Sequence, residues 1–366
     1  MISLRPPGSK AARRANLRTA AQSIARGRTR VSHRPVEAFL EIVRDCNIRC
    51  TMCAISFDDH YRVGPRDDRG LMPIELFERS LPLLRRAAKV HLMGTGEPLL
   101  HPELPEMVRR LTRWGAWVTF NTNGTLLEPE LARTLCRARL SQIVLSLDGA
   151  TASTHESIRR GASFPRIIEN IRFLNDQDGA PELIVAMVLM RENLDEIEAM
   201  IELSAGLGAR FLHVEPLLWQ DDAAYGEFYD ANAVPRNEAR VRVAEASAAA
   251  ESLGVAIESP LLASSAGEPG EESPGPICSE PWTTLYVTKD GRLRACCNGT
   301  EDLGSLGGDG GGWNDAGFAR YRRLISGEKL PADCGSCAVN RRFRKVLPID
   351  APMLGIPAST LPPEVR

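Results

Sequence analysis

Three cysteines open the case for chemistry. Cys46, Cys50 and Cys53 stand at C-x3-C-x2-C spacing in the segment Glu41-Ile-Val-Arg-Asp-Cys46-Asn-Ile-Arg-Cys50-Thr-Met-Cys53. Three soft thiolates on one loop can hold three corners of a [4Fe–4S] cluster, with the fourth iron left free of protein ligands. An open coordination position can bind a small molecule, as it does in catalytic zinc sites. A zinc site is the competing reading, but structural zinc takes four ligands, commonly in C-x2-C pairs.

A second group follows near the C-terminus: Cys278, Cys296, Cys297, Cys334 and Cys337, the last two as Cys334-Gly-Ser-Cys337. Four of these thiols can close a metal site completely, and spacing alone leaves a four-thiolate zinc site and an iron–sulfur cluster both open. The remaining cysteine, Cys136, falls in a helical pattern and reads as a packed core thiol. The nine cysteines are an odd number, and residues 1–36 contain no apolar signal core. Metal ligation in a reducing, cytoplasmic setting therefore fits better than a disulfide framework.

The elements that must position these thiols come from periodicity. Apolar runs at 38–43, 89–93, 116–121, 142–147, 183–189 and 210–214 read as strands. Helical patterns alternate with them at 74–87, 103–114, 128–139, 164–175 and 194–207, and a further one covers 237–253. Repeated βα units predict an α/β fold with a parallel sheet, a partial (β/α)6 TIM-like barrel. Loops at the C-terminal strand ends carry the chemistry of such a barrel, and the first three cysteines directly follow its first strand.

Further motifs occupy the same end. Gly94-Thr95-Gly96-Glu97-Pro98 follows the second strand; its small residues permit close backbone approach and its carboxylate can face a cation. Asn121-Thr122-Asn123-Gly124 follows the third, and Ser146-Leu147-Asp148-Gly149 the fourth, with Arg159 downstream in His155-Glu156-Ser157-Ile158-Arg159. Taken together, in this order, these motifs resemble the radical S-adenosylmethionine (SAM) superfamily over roughly residues 38–215.

The resemblance implies a cluster on Cys46, Cys50 and Cys53 that reduces SAM to a 5′-deoxyadenosyl radical, which takes a hydrogen from substrate. It implies contacts to SAM from Met52 at the adenine and from Thr95, Gly96, Glu97 and Pro98 at the amino group. It also implies Asn123 in the Thr-Asn-Gly turn, Ser146 at the ribose or carboxylate, and Arg159 at the carboxylate. Thr95 stands where the family's four-residue motif begins with Gly.

The C-terminal cysteines resemble the Twitch/SPASM extension of the same superfamily. This implies one auxiliary [4Fe–4S] cluster on Cys278, Cys296, Cys334 and Cys337, used for electron transfer, with Cys297 spare or replacing Cys296. The expected organisation is a basic arm over 1–36, a barrel over 37–258, a linker over 259–277, the cysteine-rich module over 278–345 and a tail over 346–366. The module begins with a hairpin turning at Lys289-Asp290-Gly291.

The expected function is a radical SAM oxidoreductase acting on a sugar- or cyclitol-like molecule or on a peptide. A flavodoxin or ferredoxin is the expected electron donor. An epimerase or methyltransferase with a structural second cluster, and a non-enzymatic zinc or iron–sulfur protein, are the alternatives. The short arm leaves no room for a peptide-recognition domain and tilts the reading toward a small molecule. Glu215, at the end of the last strand, is the expected substrate-side residue, in a loop with Trp219, Asp221, Asp222, Tyr225 and Tyr229.

Charge excludes some partners. The arm holds nine Lys/Arg and no acid, so with −2 for the whole chain the remainder carries −11, unsuited to nucleic acid. No run of about 18 apolar residues predicts a membrane span.

Overall fold

The computed structural model describes residues 10–57, 70–218, 223–262, 278–307, 312–327, 330–331 and 334. Cys337, Trp219, Asp221, Asp222, most of the expected linker and the whole expected tail lie outside these residues.

The strands are β1 Glu37–Val43, β2 Arg49–Cys50, β3 Lys89–Gly94, β4 Trp117–Thr122, β5 Gln142–Ser146 and β6 Arg159–Arg160. They continue with β7 Glu182–Leu189, β8 Phe211–Pro216, β9 Ala256–Glu258, β10 Thr284–Val287, β11 Arg292–Arg294 and β12 Gly304–Ser305. The helices are α1 Lys10–Ala25, α2 Ile74–Leu84, α3 Leu104–Arg113, α4 Pro129–Arg137, α5 Ala152–Ile158 and α6 Phe164–Asn175. After these come α7 Ile197–Gly206, α8 Ala223–Asn232, α9 Arg236–Ala250, α10 Glu280–Thr283 and α11 Ala316–Ile325.

The six strands read from the sequence are β1, β3, β4, β5, β7 and β8, adjacent in that order and all parallel. The sheet is an open, partial barrel, as the alternating pattern required. Its outward face is apolar: Val90, Leu92, Val118, Phe120, Ile143, Leu145, Val185, Leu189, Leu212 and Val214 are buried under the helices. Its inward face is mixed: period-two alternation puts the polar Lys89, His91, Asn121, Gln142, Glu182 and His213 together with the apolar Val144, Ile184 and Phe211 around a cavity of about 660 Å³.

Four strands extend the sheet beyond the six, β9 at one edge and β10, β11 and β12 at the other. β9 pairs with β8, and β10 pairs parallel with β1, Glu37 opposite Thr284. The hairpin of β10 and β11 turns at Gly291, whose φ of 78° is the left-handed conformation a side chain resists. The cysteine-rich segment thus begins as a continuation of the barrel sheet, where the sequence suggested a separate module.

The basic arm is also integrated. α1 buries Leu17, Ala20, Ala21 and Ile24, and Arg13 donates to the Trp114 carbonyl at 2.7 Å. Arg322 of α11 is fully buried and donates to the carbonyls of Thr29, Pro281 and Trp313. It stacks on the Trp313 ring at 4.6 Å, tying the arm to the C-terminal segment.

Candidate active site

The cysteine loop leaves the C-terminal end of β1. β2 inside the loop pairs antiparallel with β6, Cys50 opposite Arg159 and Arg49 opposite Arg160, and Thr51 N donates to Ile158 O at 2.8 Å. This short ladder fixes the middle cysteine against the segment after β5. Cys50 is buried, while Cys46 and Cys53 are half-buried. Met52, Ile48, Ile158, Met190, Leu217 and Tyr225 form an apolar shell around the thiols, with Phe57, Val188 and Phe228 packed against it.

Burial pushes the Cys50 thiol up to about 12, although the Arg159 charge works against that. Burial raises Cys46 as well, and the charge of Cys53 adds to the shift. These thiols stay protonated until something soft and positive takes them, and coordination deprotonates a thiol outright.

The β3 loop supports the cysteine loop through backbone. Glu97 N donates to Asp45 O at 2.8 Å, one residue before Cys46. A Cβ on Gly96 would lie 2.0 Å from Asp45 O, and one on Gly94 would lie 1.7 Å from Val43 O. Both glycines are therefore required by chain-to-chain approach within the protein.

Glu97 is 2% exposed. Its carboxylate accepts from Thr122 Oγ1 at 2.6 Å, Asn123 N at 2.8 Å and Leu99 N at 3.1 Å. Burial raises its pKa, and these three donors pull it back. The carboxylate joins β3 to the Asn123 turn, and protein donors occupy the oxygens expected to face a cation. Thr95 Oγ1 is buried with no partner, a polar atom waiting for a ligand or water. Pro98 opens a short turn to Leu100 and is buried.

Asn123 reaches both ways: Nδ2 donates to Asn47 Oδ1 at 3.0 Å and approaches Cys46 Sγ at 3.8 Å, while Oδ1 accepts from Thr125 N at 2.9 Å. Ser146 lies on the inward face of β5, level with Ala186 and, one strand on, His213. Arg159 is held by an ion pair to the fully buried Asp148, Nε to Oδ2 at 2.6 Å, and its Nη1 lies 3.6 Å from Cys50 Sγ. Burial alone would lower the Arg159 pKa, but the charges of Asp148 and Cys50 hold it above its ordinary value.

Glu215 accepts from His213 Nε2 at 2.8 Å, and His213 Nδ1 lies 3.9 Å from Glu258. The hydrogen bond from Glu215 raises the His213 pKa against the effect of burial, and both carboxylate charges add to it. His213 was not singled out in the sequence; the polar alternation Phe-Leu-His-Val-Glu in a barrel strand was the available signal. Two residues expected in a loop beyond Glu215 are helical instead. Tyr225 and Tyr229 belong to α8, and Tyr225 packs edge-on against Phe57 at 5.1 Å over the cysteine loop.

The second cysteine group partly assembles. Cys278, Cys296 and Cys334 are half-buried and Cys297 is exposed. Burial raises the Cys278 thiol, and the nearby charges of Glu280, Cys296 and Cys334 add to the shift, so three of the four expected ligands share one electrostatic neighbourhood. Tyr321 Oη lies 3.4 Å from Cys334 Sγ. Cys136 is buried in α4, as expected of a core thiol. Among the described residues, no three His, Cys, Asp or Glu side chains converge as ligands of one metal ion. A cubane cluster, which spreads its irons over separate corners, accommodates thiols set further apart.

With this geometry in hand, comparison with known proteins is decisive. Residues 40–204 match the Radical SAM superfamily. Over that stretch the chain is similar to a radical SAM domain. The matched stretch runs from β1 through most of α7 and includes the cysteine loop, Glu97, Asn123, Ser146 and Arg159.

The chain is 30% identical over 177 residues to the AdoMet-dependent heme synthase of Methanosarcina barkeri, covering 48% of each. It is 28% identical over 175 residues to the mycofactocin maturase MftC of Mycolicibacterium smegmatis, covering 48% of this chain and 43% of that one. The matches thus span about half the length of these curated relatives. Among solved structures, Streptococcus suis SuiB bound to its precursor peptide SuiA superposes with a TM-score of 0.64 at 17% identity, over 90% of this chain and 75% of that one. That likeness establishes the radical SAM partial-barrel fold. No helix among the described residues is long and apolar enough to cross a membrane.

Proposed function

We propose that this protein is a radical SAM enzyme that modifies a peptide, with Cys46, Cys50 and Cys53 as the ligands of its SAM-cleaving cluster. The observation that carries this reading is the cysteine loop itself. Three thiols lie in an apolar shell, two of them beside N–H donors from Asn123 and Arg159, as anionic sulfur favours. Bound there, a [4Fe–4S] cluster with one iron free of protein ligands supplies the electron that cleaves SAM to a 5′-deoxyadenosyl radical, which abstracts a substrate hydrogen.

The chain's own residues have separable tasks. Gly94, Gly96 and Glu97 brace the cysteine loop. Thr95, with its orphaned hydroxyl, and Met52, 8% exposed in the shell, are the nearest candidates for contact with SAM, and Ser146 faces the same lumen. The apolar shell limits water around the thiols, most of all at the buried Cys50. Glu215 and His213 present a polar pair on the inward face, level with and next to Val188, which packs on the cysteine loop.

The substrate reading follows the relatives. MftC is named as a maturase and SuiB is seen with a precursor peptide, which favours a peptide over the small molecule suggested by the short arm. A second cluster on Cys278, Cys296, Cys334 and Cys337 fits the shared neighbourhood of the first three thiols, and the exposure of Cys297 favours Cys296 as the ligand. Electron transfer through that cluster, an oxidative outcome and a flavodoxin- or ferredoxin-type reductant complete the proposal.

The test is anaerobic reconstitution followed by assay of iron content and 5′-deoxyadenosine formation, with and without candidate precursor peptides. Wild type should bind iron and cleave SAM, and Cys46→Ala, Cys50→Ala and Cys53→Ala should each abolish cleavage. Full cleavage in any of the three variants would overturn the assignment. Acceleration by a sugar or cyclitol and by no peptide would overturn the substrate class.

A further inference from the structure

Arg159 sits in a more constrained place than contact with a SAM carboxylate demands. It is the ladder partner of Cys50, and its guanidinium folds back onto that same residue, Nη1 3.6 Å from Sγ. Its Nε faces Asp148 Oδ2 at 2.6 Å. Asp148 is fully buried, and its Oδ1 accepts from Val188 N at 2.8 Å, so the carboxylate is pinned. Cys46 has the neutral Asn123 amide at 3.8 Å and the Ile48 backbone N–H beside it, with the Glu97 and Arg49 charges acting on it in opposite directions. The thiols therefore occupy unequal fields: one stands beside a cation whose charge is opposed by a buried anion.

We propose that the Arg159–Asp148 pair sets the reduction potential of the cluster held by Cys46, Cys50 and Cys53. Arg159 acts through the Cys50 sulfur, and Asp148 moderates its charge. The inference rests on the cluster assignment proposed above. Reduction adds negative charge to the cluster. A cation and an N–H donor at a coordinating sulfur stabilise the reduced form and raise the potential, whereas a nearby carboxylate lowers it. In a water-poor site both effects are strong. Arg159 and Asp148 are positioning residues that act with opposite signs. A residue that only anchors the loop, or only binds SAM, produces no such pair of signs.

The experiment is a redox titration of the reconstituted full chain without SAM, followed by electron paramagnetic resonance. The signal from this cluster is identified by its change when SAM is added afterwards. Asp148→Asn keeps an oxygen for the Val188 N–H and should shift the midpoint to higher potential. Arg159→Met keeps the length of the side chain, removes donor and charge, and should shift it to lower potential. The double variant leaves no buried charge and should lie below Asp148→Asn. Iron per chain is measured in each.

Midpoints that stay put, or that move the same way in both single variants, overturn the inference. Loss of SAM affinity in Arg159→Met with an unmoved midpoint also overturns it and assigns Arg159 to SAM. If both Arg159 variants shed iron, Asp148→Asn decides alone: a rise supports the pair's role and no shift overturns it. A wild-type chain that takes up no iron refutes the cluster assignment itself, a distinct result.

Discussion

Replacing Gly96 with Ala probes how the β3 loop holds the cysteine loop. The new Cβ would stand 2.0 Å from Asp45 O and 2.7 Å from Asp45 C and N. Ordinary van der Waals contact begins near 3.4 Å, so the two backbones must separate by about 1 Å or more. Neither neighbour is a flexible side-chain tip that could swing aside. Separation stretches the Glu97 N–Asp45 O hydrogen bond of 2.8 Å and displaces Asp45, whose Oδ1 accepts from Cys46 N at 2.9 Å.

Overpacking costs about 1–3 kcal/mol and a lost backbone hydrogen bond about 0.5–1.5 kcal/mol. The variant should thus be destabilised by roughly 2–4 kcal/mol. Urea unfolding gives the stability, and iron per chain after anaerobic reconstitution reads the cysteine loop. Gly206→Ala is the control: it lies at the end of α7 with nothing within 4 Å of its added Cβ, and should be neutral or slightly stabilising. A Gly96→Ala protein within about 0.5 kcal/mol of wild type and with full iron would refute the reasoning.

Three further outcomes are expected. His155 and His33 are held neutral chiefly by burial, their pKa values pushed down to about 3 and about 4. The unfolded chain protonates first, near 6.5, so their contribution is complete above that pH and declines as pH falls toward the folded values, by about 2 kcal/mol each at pH 5. Urea midpoints between pH 7 and pH 5 should fall, and His155→Asn should flatten the decline; an unchanged slope in that variant contradicts it. Arg322→Met strands the carbonyls of Pro281, Trp313 and Thr29 and should cost about 3–5 kcal/mol, read as a lower Tm. Cys296→Ser should lose iron that Cys297→Ser retains; iron lost from Cys297→Ser and kept by Cys296→Ser would reverse the choice of ligand.

The legibility of the fold follows from its physics. βα alternation and period-two burial are local patterns, so β1, β3, β4, β5, β7 and β8 could be placed within a residue or two, and the Gly291 hairpin likewise. The joining of β10 to β1 could not be read, because it pairs segments some 250 residues apart, Glu37 with Thr284, and nothing local marks which edge receives a strand. Tyr225 was misread for a related reason: the acids and aromatics after β8 suggest a solvated loop until α8 is seen packed on the cysteine loop.

What the sequence determined by itself was the donor chemistry: three thiols in one loop, further thiols downstream, and a motif order that resembles a radical SAM domain. Ligand type and spacing are properties of the chain. What only the tertiary structure decided was the work of the supporting residues. Gly94 and Gly96 leave room for the cysteine loop's own backbone. Glu97 gathers protein donors. Arg159 stands between a buried carboxylate and Cys50. A residue's role depends on what lies opposite it, and the partners here come from strands far apart in the chain.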